Sequence, residues 1–82
     1  MYFTQGDKEY LKSLGEDEAH IRQIESTVRR TVFKYRGQRI TRDKAIDLLG
    51  RERFLSGMQR CTYHQTAVRT TDGEETVFFE TK

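Results

Sequence analysis

Apolar residues recur at Ile21, Ile24, Val28, Val32 and Tyr35, in steps of 3, 4, 4 and 3. That period traces one face of a helix. Glu16, Asp17 and Glu18 precede the stripe, where negative charge suits the positive end of a helix dipole. Gly37 follows it, and glycine accepts the left-handed backbone after a helix end. A helix to about residue 35 is therefore expected. A strand over residues 31–36 is the alternative, because Thr31-Val32-Phe33 is β-prone. Upstream, residues 5–14 read as a short helix or turn with Tyr10, Leu11 and Leu14 on one side and Gly15 after it. Tyr2, Phe3 and Tyr10 are expected to close a small core from the N-terminal side.

Downstream, Gln38 to Thr41 reads as a short extended piece with Ile40 inward, and Thr41 is a suitable N-cap. The helix it starts turns Ala45, Ile46, Leu48 and Leu49 toward a core and ends at Gly50. A third helix is expected from about Arg51 to His64, with Phe54, Leu55, Met58 and Cys61 as its apolar set. Gly57 inside it costs about 1 kcal/mol relative to alanine. The chain closes with a hairpin. TAVRTT and EETVFFET flank Asp72-Gly73, a dipeptide suited to a two-residue type I′ turn. In that register Val68 faces Val77 and Thr66 faces Phe79, while Phe78 points to the other side.

The 82 residues suit one domain, 1–82, of α+β class. Apolar and charged residues each make up 34%, which is polar for a globular chain, but five Phe and four Tyr argue against disorder. One cysteine, Cys61, excludes an intramolecular disulfide. The start, MYFTQGDKEY, lacks the basic residues and apolar run of a signal peptide. No stretch nears the ~20 apolar residues of a membrane span. A soluble, cytoplasmic protein without membrane contact is the expectation.

Charge changes this picture. Between Arg29 and Arg69 stand eleven Lys/Arg and three acids, a block of +8. Residues 1–28 and residues 70–82 each sum to −3, so the formal +2 of the whole chain hides strong polarisation. A concentrated positive block attracts polyanions, and nucleic acid is the first partner to consider.

The order helix, short strand, helix, tight turn, helix, hairpin, over roughly residues 16–81, resembles the winged helix-turn-helix fold. The resemblance implies a small helical domain with a helix-turn-helix-like pair, Arg42–Leu49 and a recognition helix 51–64, and the hairpin as wing. It implies a non-enzymatic DNA-binding regulator or accessory protein. On the third helix Arg53, Gly57, Arg60 and His64 are spaced 4, 3 and 4 and share a face. Entering a major groove, that face would bring arginines to guanine and Gln59 to adenine, with Ser56 beside them and Gly57 allowing close backbone approach. Arg42, Lys44, Arg51 and Arg69 would hold phosphates, and duplex DNA is the favoured ligand. Four acids on the hairpin, Asp72, Glu74, Glu75 and Glu80, oppose insertion of the wing into a minor groove.

The alternative is a protein-interaction module, such as a phage or mobile-element inhibitor, docking its charged surface on a partner protein. No catalytic residue is expected, because neither a nucleophile-base arrangement nor a paired-carboxylate motif is present. Cys61 and His64 lie three apart, but no second Cys/His pair completes a metal site, so neither metal nor cofactor is expected. Arg29, Arg30, Lys34 and Arg36 have a plain reading as cations closing a helix C-terminus.

Overall fold

The computed structural model of the chain describes residues 3–62 and 65–81. Helix α1 (Gln5–Ser13) starts with a capping box: Asp7 N–H donates to Thr4 Oγ1, and Thr4 N–H donates to the Asp7 carboxylate. Helix α2 (Glu18–Val28) is capped by Asp17, which accepts from His20 N–H at 2.8 Å. Strands β1 (Thr31–Tyr35) and β2 (Gln38–Ile40) follow, then helices α3 (Arg42–Leu49) and α4 (Arg51–Cys61), and strands β3 (Thr66–Arg69) and β4 (Thr76–Thr81). The strands form one antiparallel sheet in the order β2-β1-β4-β3. The α+β class expected from the sequence is the one observed.

The largest correction concerns residues 31–36. The helix ends at Val28, and Thr31–Tyr35 is an interior strand paired on both sides. Val32 and Tyr35 fit a helical period, but the β-prone run at Thr31-Val32-Phe33 finds partners in Ile40 of β2 and in Phe79 and Thr81 of β4. Those ladder bonds, with burial of Thr31, Val32 and Phe33, outweigh the local pattern. Gly37 is thus no helix stop. Arg36 (φ 54°) and Gly37 (φ 78°) are the two left-handed residues of a two-residue hairpin turn between Tyr35 and Gln38.

The β3–β4 register matches expectation: Val68 pairs with Val77 and Thr66 with Phe79. The turn does not. Of its residues only Gly73 (φ 75°) has a positive φ, so Asp72-Gly73 is not a type I′ pair. The ladder closes early, with Thr70 N–H donating to Glu75 O, because Thr71 N–H turns away to Leu48 O at the end of α3. Thr70 Oγ1 and Glu74 N–H both donate to Asp72 Oδ1, which holds the four-residue loop 71–74.

Between helices and sheet lies the core. Phe33, Phe54 and Phe79 form a ring cluster with centroids 5.1 to 6.1 Å apart. Leu11, Ile24, Leu49, Met58 and Val77 are fully buried around it. Phe3 joins the core and Tyr10 packs against it, as expected. Tyr2 lies outside the described residues. Thr41 caps α3 as expected, accepting from Lys44 N–H at 3.1 Å, and Gly50 alone separates α3 from α4.

Candidate nucleic-acid interface

Helix α4 was expected to present a reading face, and its geometry narrows that face. A Cβ on Gly57 would stand 2.7 Å from Val68 and 2.8 Å from Phe79. The glycine therefore serves close packing of α4 on the β3–β4 hairpin, not close approach of a ligand. Gln59 Nε2 donates to the Glu16 carboxylate at 3.1 Å. Arg51 makes a bidentate ion pair with Asp7, a carboxylate only 3% exposed. Arg53 donates to Thr70 O at 2.8 Å and so fastens the hairpin to the helix. α4 turns Arg51, Glu52, Arg53 and Arg60 to solvent, with Ser56 and Gln59 partly buried. His64 lies outside the described residues.

The Asp7 carboxyl is pulled two ways. Burial pushes its pKa up, but the Arg51 guanidinium and the Thr4 N–H outweigh burial and hold it below the ordinary carboxylate range. This pair ties α1 to α4 and gives Arg51 a structural role.

The hairpin acids are also engaged. Glu75 accepts a bidentate pair from Arg36, which holds the Glu75 carboxyl low and raises the Arg36 guanidinium. Arg36 also lies over the Tyr35 ring at 5.1 Å. Glu80 meets Lys34 at 3.3 Å. Asp72 is held low by the Thr70 hydroxyl within its loop. Glu74 stays exposed. Arg69 is exposed and donates to Gly73 O at 2.6 Å, and it makes no ion pair among the described residues.

Three other arginines converge. An open groove of about 630 Å³ lies where α2 ends, β1 and β2 run, and α3 begins. Arg29, Arg39 and Arg42 line it together with Asp43, over an apolar floor that includes Val32 and Ile40. Arg42 contacts Asp43 at 3.5 Å with its side chain one-third exposed. Arg29 and Arg39 are exposed. Three cations and one acid thus line the groove. Lys44 is exposed in the first turn of α3.

Of the residues selected from the sequence, only Arg42 belongs to this groove; Arg29 and Arg39 do not stand out along the chain. The strand reading of residues 31–36 would have revealed Arg39. With Arg36-Gly37 as a two-residue turn, Arg39 falls opposite Lys34. Arg29 carried no such signal, because its place in the groove depends on how α2 packs beside the sheet. Among the described residues no group of three or more His, Cys, Asp and Glu is arranged to hold a metal, and no helix is long and apolar enough to cross a membrane. Comparison with known proteins finds no match to this chain, whether by family model, curated sequence or solved structure.

Proposed function

We propose that this chain is a non-enzymatic, cytoplasmic nucleic-acid-binding protein that holds a phosphate backbone in the groove lined by Arg29, Arg39 and Arg42. One observation carries the reading: three arginines from three separate elements converge on a single concave surface. Guanidinium groups match phosphate oxygens in fork geometry and remain charged at any physiological pH. The winged-helix reading draws support from the order of elements after α2, from the pairing of β1 with β4, and from the hairpin that follows α4. Within it, Lys44 and Arg69 are further phosphate contacts, and Arg53, Ser56 and Arg60 are the side chains left to meet base edges of a duplex.

Fluorescence anisotropy with a labelled DNA duplex and a labelled single strand, titrated at several salt concentrations, tests the proposal. The three groove contacts alone account for about −2.7 of the slope of log K against log salt on duplex DNA, and Lys44 and Arg69 would bring it to about −4.5. Replacing Arg29→Gln and Arg39→Gln together should reduce that slope by about 1.8. Both side chains are exposed, so the fold should survive. Absence of binding at low salt, or an unchanged slope in the double variant, would remove the reading. Binding to an acidic protein surface instead would leave both titrations flat.

A further inference from the structure

We infer that the solvent side of the sheet is a binding site for single-stranded nucleic acid, with Phe78 as the platform on which a base stacks. The inference rests on the nucleic-acid reading above and on its groove, but not on α4. Four of the five phenylalanines are buried; Phe78 is 51% exposed, the most exposed large apolar side chain among the described residues. Directly opposed residues share a face of a sheet. Arg39 pairs with Lys34, Lys34 with Phe78, and Phe78 with Ala67. These four residues therefore form one row across all four strands, on the side away from the helices. On the same face, Arg69 and Thr76 form the row on one flank, and Glu80 and Val32 the row on the other.

Charge on this face is positive: Lys34, Arg39 and Arg69 against Glu80. The placement of Arg39 is informative. Like charges directly opposite on neighbouring strands repel, and Arg39 faces Lys34 across the β1–β2 hairpin. Arg39 also lines the arginine groove. It thus joins two surfaces, a phosphate-holding groove and an aromatic face, about 10 Å apart across two strand spacings. Beside Phe78 lies a shallow hollow of about 290 Å³, bordered by Gln65, Ala67 and Glu80. Gln65 is exposed there, with an amide able to meet a base edge.

An exposed aromatic ring on a sheet, flanked by cations that follow the backbone, suits unpaired bases. Bases inside a duplex are stacked on one another and do not offer a face to Phe78. The shared ligand chemistry is a short single strand, and DNA and RNA forms are the two sources.

The chain contains no tryptophan, so Phe78→Trp introduces a single reporter at the proposed stacking position. We would titrate labelled oligo-dT and oligo-rU, and an unlabelled duplex as a third arm. The expected results are tighter binding of a single strand than of the duplex, and quenching of the Phe78→Trp emission on binding. Phe78→Ala should weaken single-strand binding about ten-fold or more, as loss of one stacked base does, and Phe78→Tyr should retain it. Relative affinity for the dT and rU strands assigns the source. Circular dichroism of each variant checks the fold, and the Trp variant keeps the test open should Phe78→Ala be unstable. Single-strand binding with no quenching of the Trp variant, or unweakened by a folded Phe78→Ala, overturns the sheet site and leaves the groove standing. Duplex binding that depends on Arg29 and Arg39, without single-strand binding, does the same. Failure of every oligonucleotide to bind at low salt removes both readings.

Discussion

Helix α4 and the groove between α2, β1–β2 and α3 each present three arginines. Their surroundings differ. On α4, Arg51 is locked to Asp7 of α1, Arg53 to a carbonyl of the hairpin loop, and only Arg60 is simply exposed. The helix packs against the hairpin so closely that Gly57 leaves no room for a Cβ. In the groove, Arg29, Arg39 and Arg42 come from the ends and edges of different elements and border an open space. A helix at the centre of a small core uses its polar side chains to fasten neighbouring elements. The groove arginines gather instead where element ends meet. Linear charge density does not distinguish these two fates.

The fastening role is tested most severely at Asp7. Asp7→Ala removes both the capping-box carboxylate and the partner of Arg51, and should cost about 1.5–3 kcal/mol, the range for hydrogen bonds to charged groups. Urea unfolding measures it; a midpoint equal to that of the parent protein would show that α4 is not held by this pair. The same group carries a pH dependence. Its carboxyl is held below the ordinary range in the folded state. The stability it contributes is therefore present above the unfolded pKa of about 3.9 and is lost as pH falls through the lower folded value. Below about pH 4 the parent protein should lose stability faster than Asp7→Asn does.

Gly57 separates the two uses of α4. Inserting a methyl group beside Val68 and Phe79 costs about 1–3 kcal/mol by overpacking. The gain in helix propensity is about 1 kcal/mol. Gly57→Ala should thus be destabilising on balance. A glycine that faced a ligand would give the opposite sign, a protein stabilised by the full propensity gain and impaired only in binding.

Binding itself contrasts the two arginine sets. The pair Arg53→Gln and Arg60→Gln should change the salt slope by less than about 1, against about 1.8 for the groove pair. An equal or larger change from the α4 pair would reverse the comparison and restore the recognition-helix reading. The smallest effect is expected at Arg36→Asn. Asparagine suits the left-handed position that Arg36 occupies, so the hairpin turn should persist. Loss of the guanidinium should let the Glu75 carboxyl rise toward its ordinary pKa, visible in an NMR titration, with little change in the melting temperature.

Much of the fold could be read along the chain because it depends on near neighbours. Thr41 caps α3 through Lys44, three residues on; Asp17 does the same for α2. The alternation of TAVRTT against EETVFFET set the β3–β4 register correctly even though the turn between them differs. Strand β1 escaped the helical reading only through partners far along the chain, Thr31 meeting Thr81. The β3–β4 loop departed from a type I′ turn, with Leu48 O, on another element, accepting from Thr71 N–H. The candidate site was the least accessible part: Arg42 was singled out, whereas Arg29 and Arg39 acquire their meaning from packing.

By itself, then, the sequence determined an α+β domain with its helix caps, the register of its last hairpin and a strongly polarised charge. Each follows from spacing and residue type within a few positions. The tertiary structure alone decided which cations face one another, which are neutralised by Asp7, Glu75 or Glu80, and that Phe78 stands in line with Lys34 and Arg39. The reason is physical. Hydrogen-bond periodicity acts along the chain, whereas ion pairing, burial and concave surfaces arise only when distant segments meet.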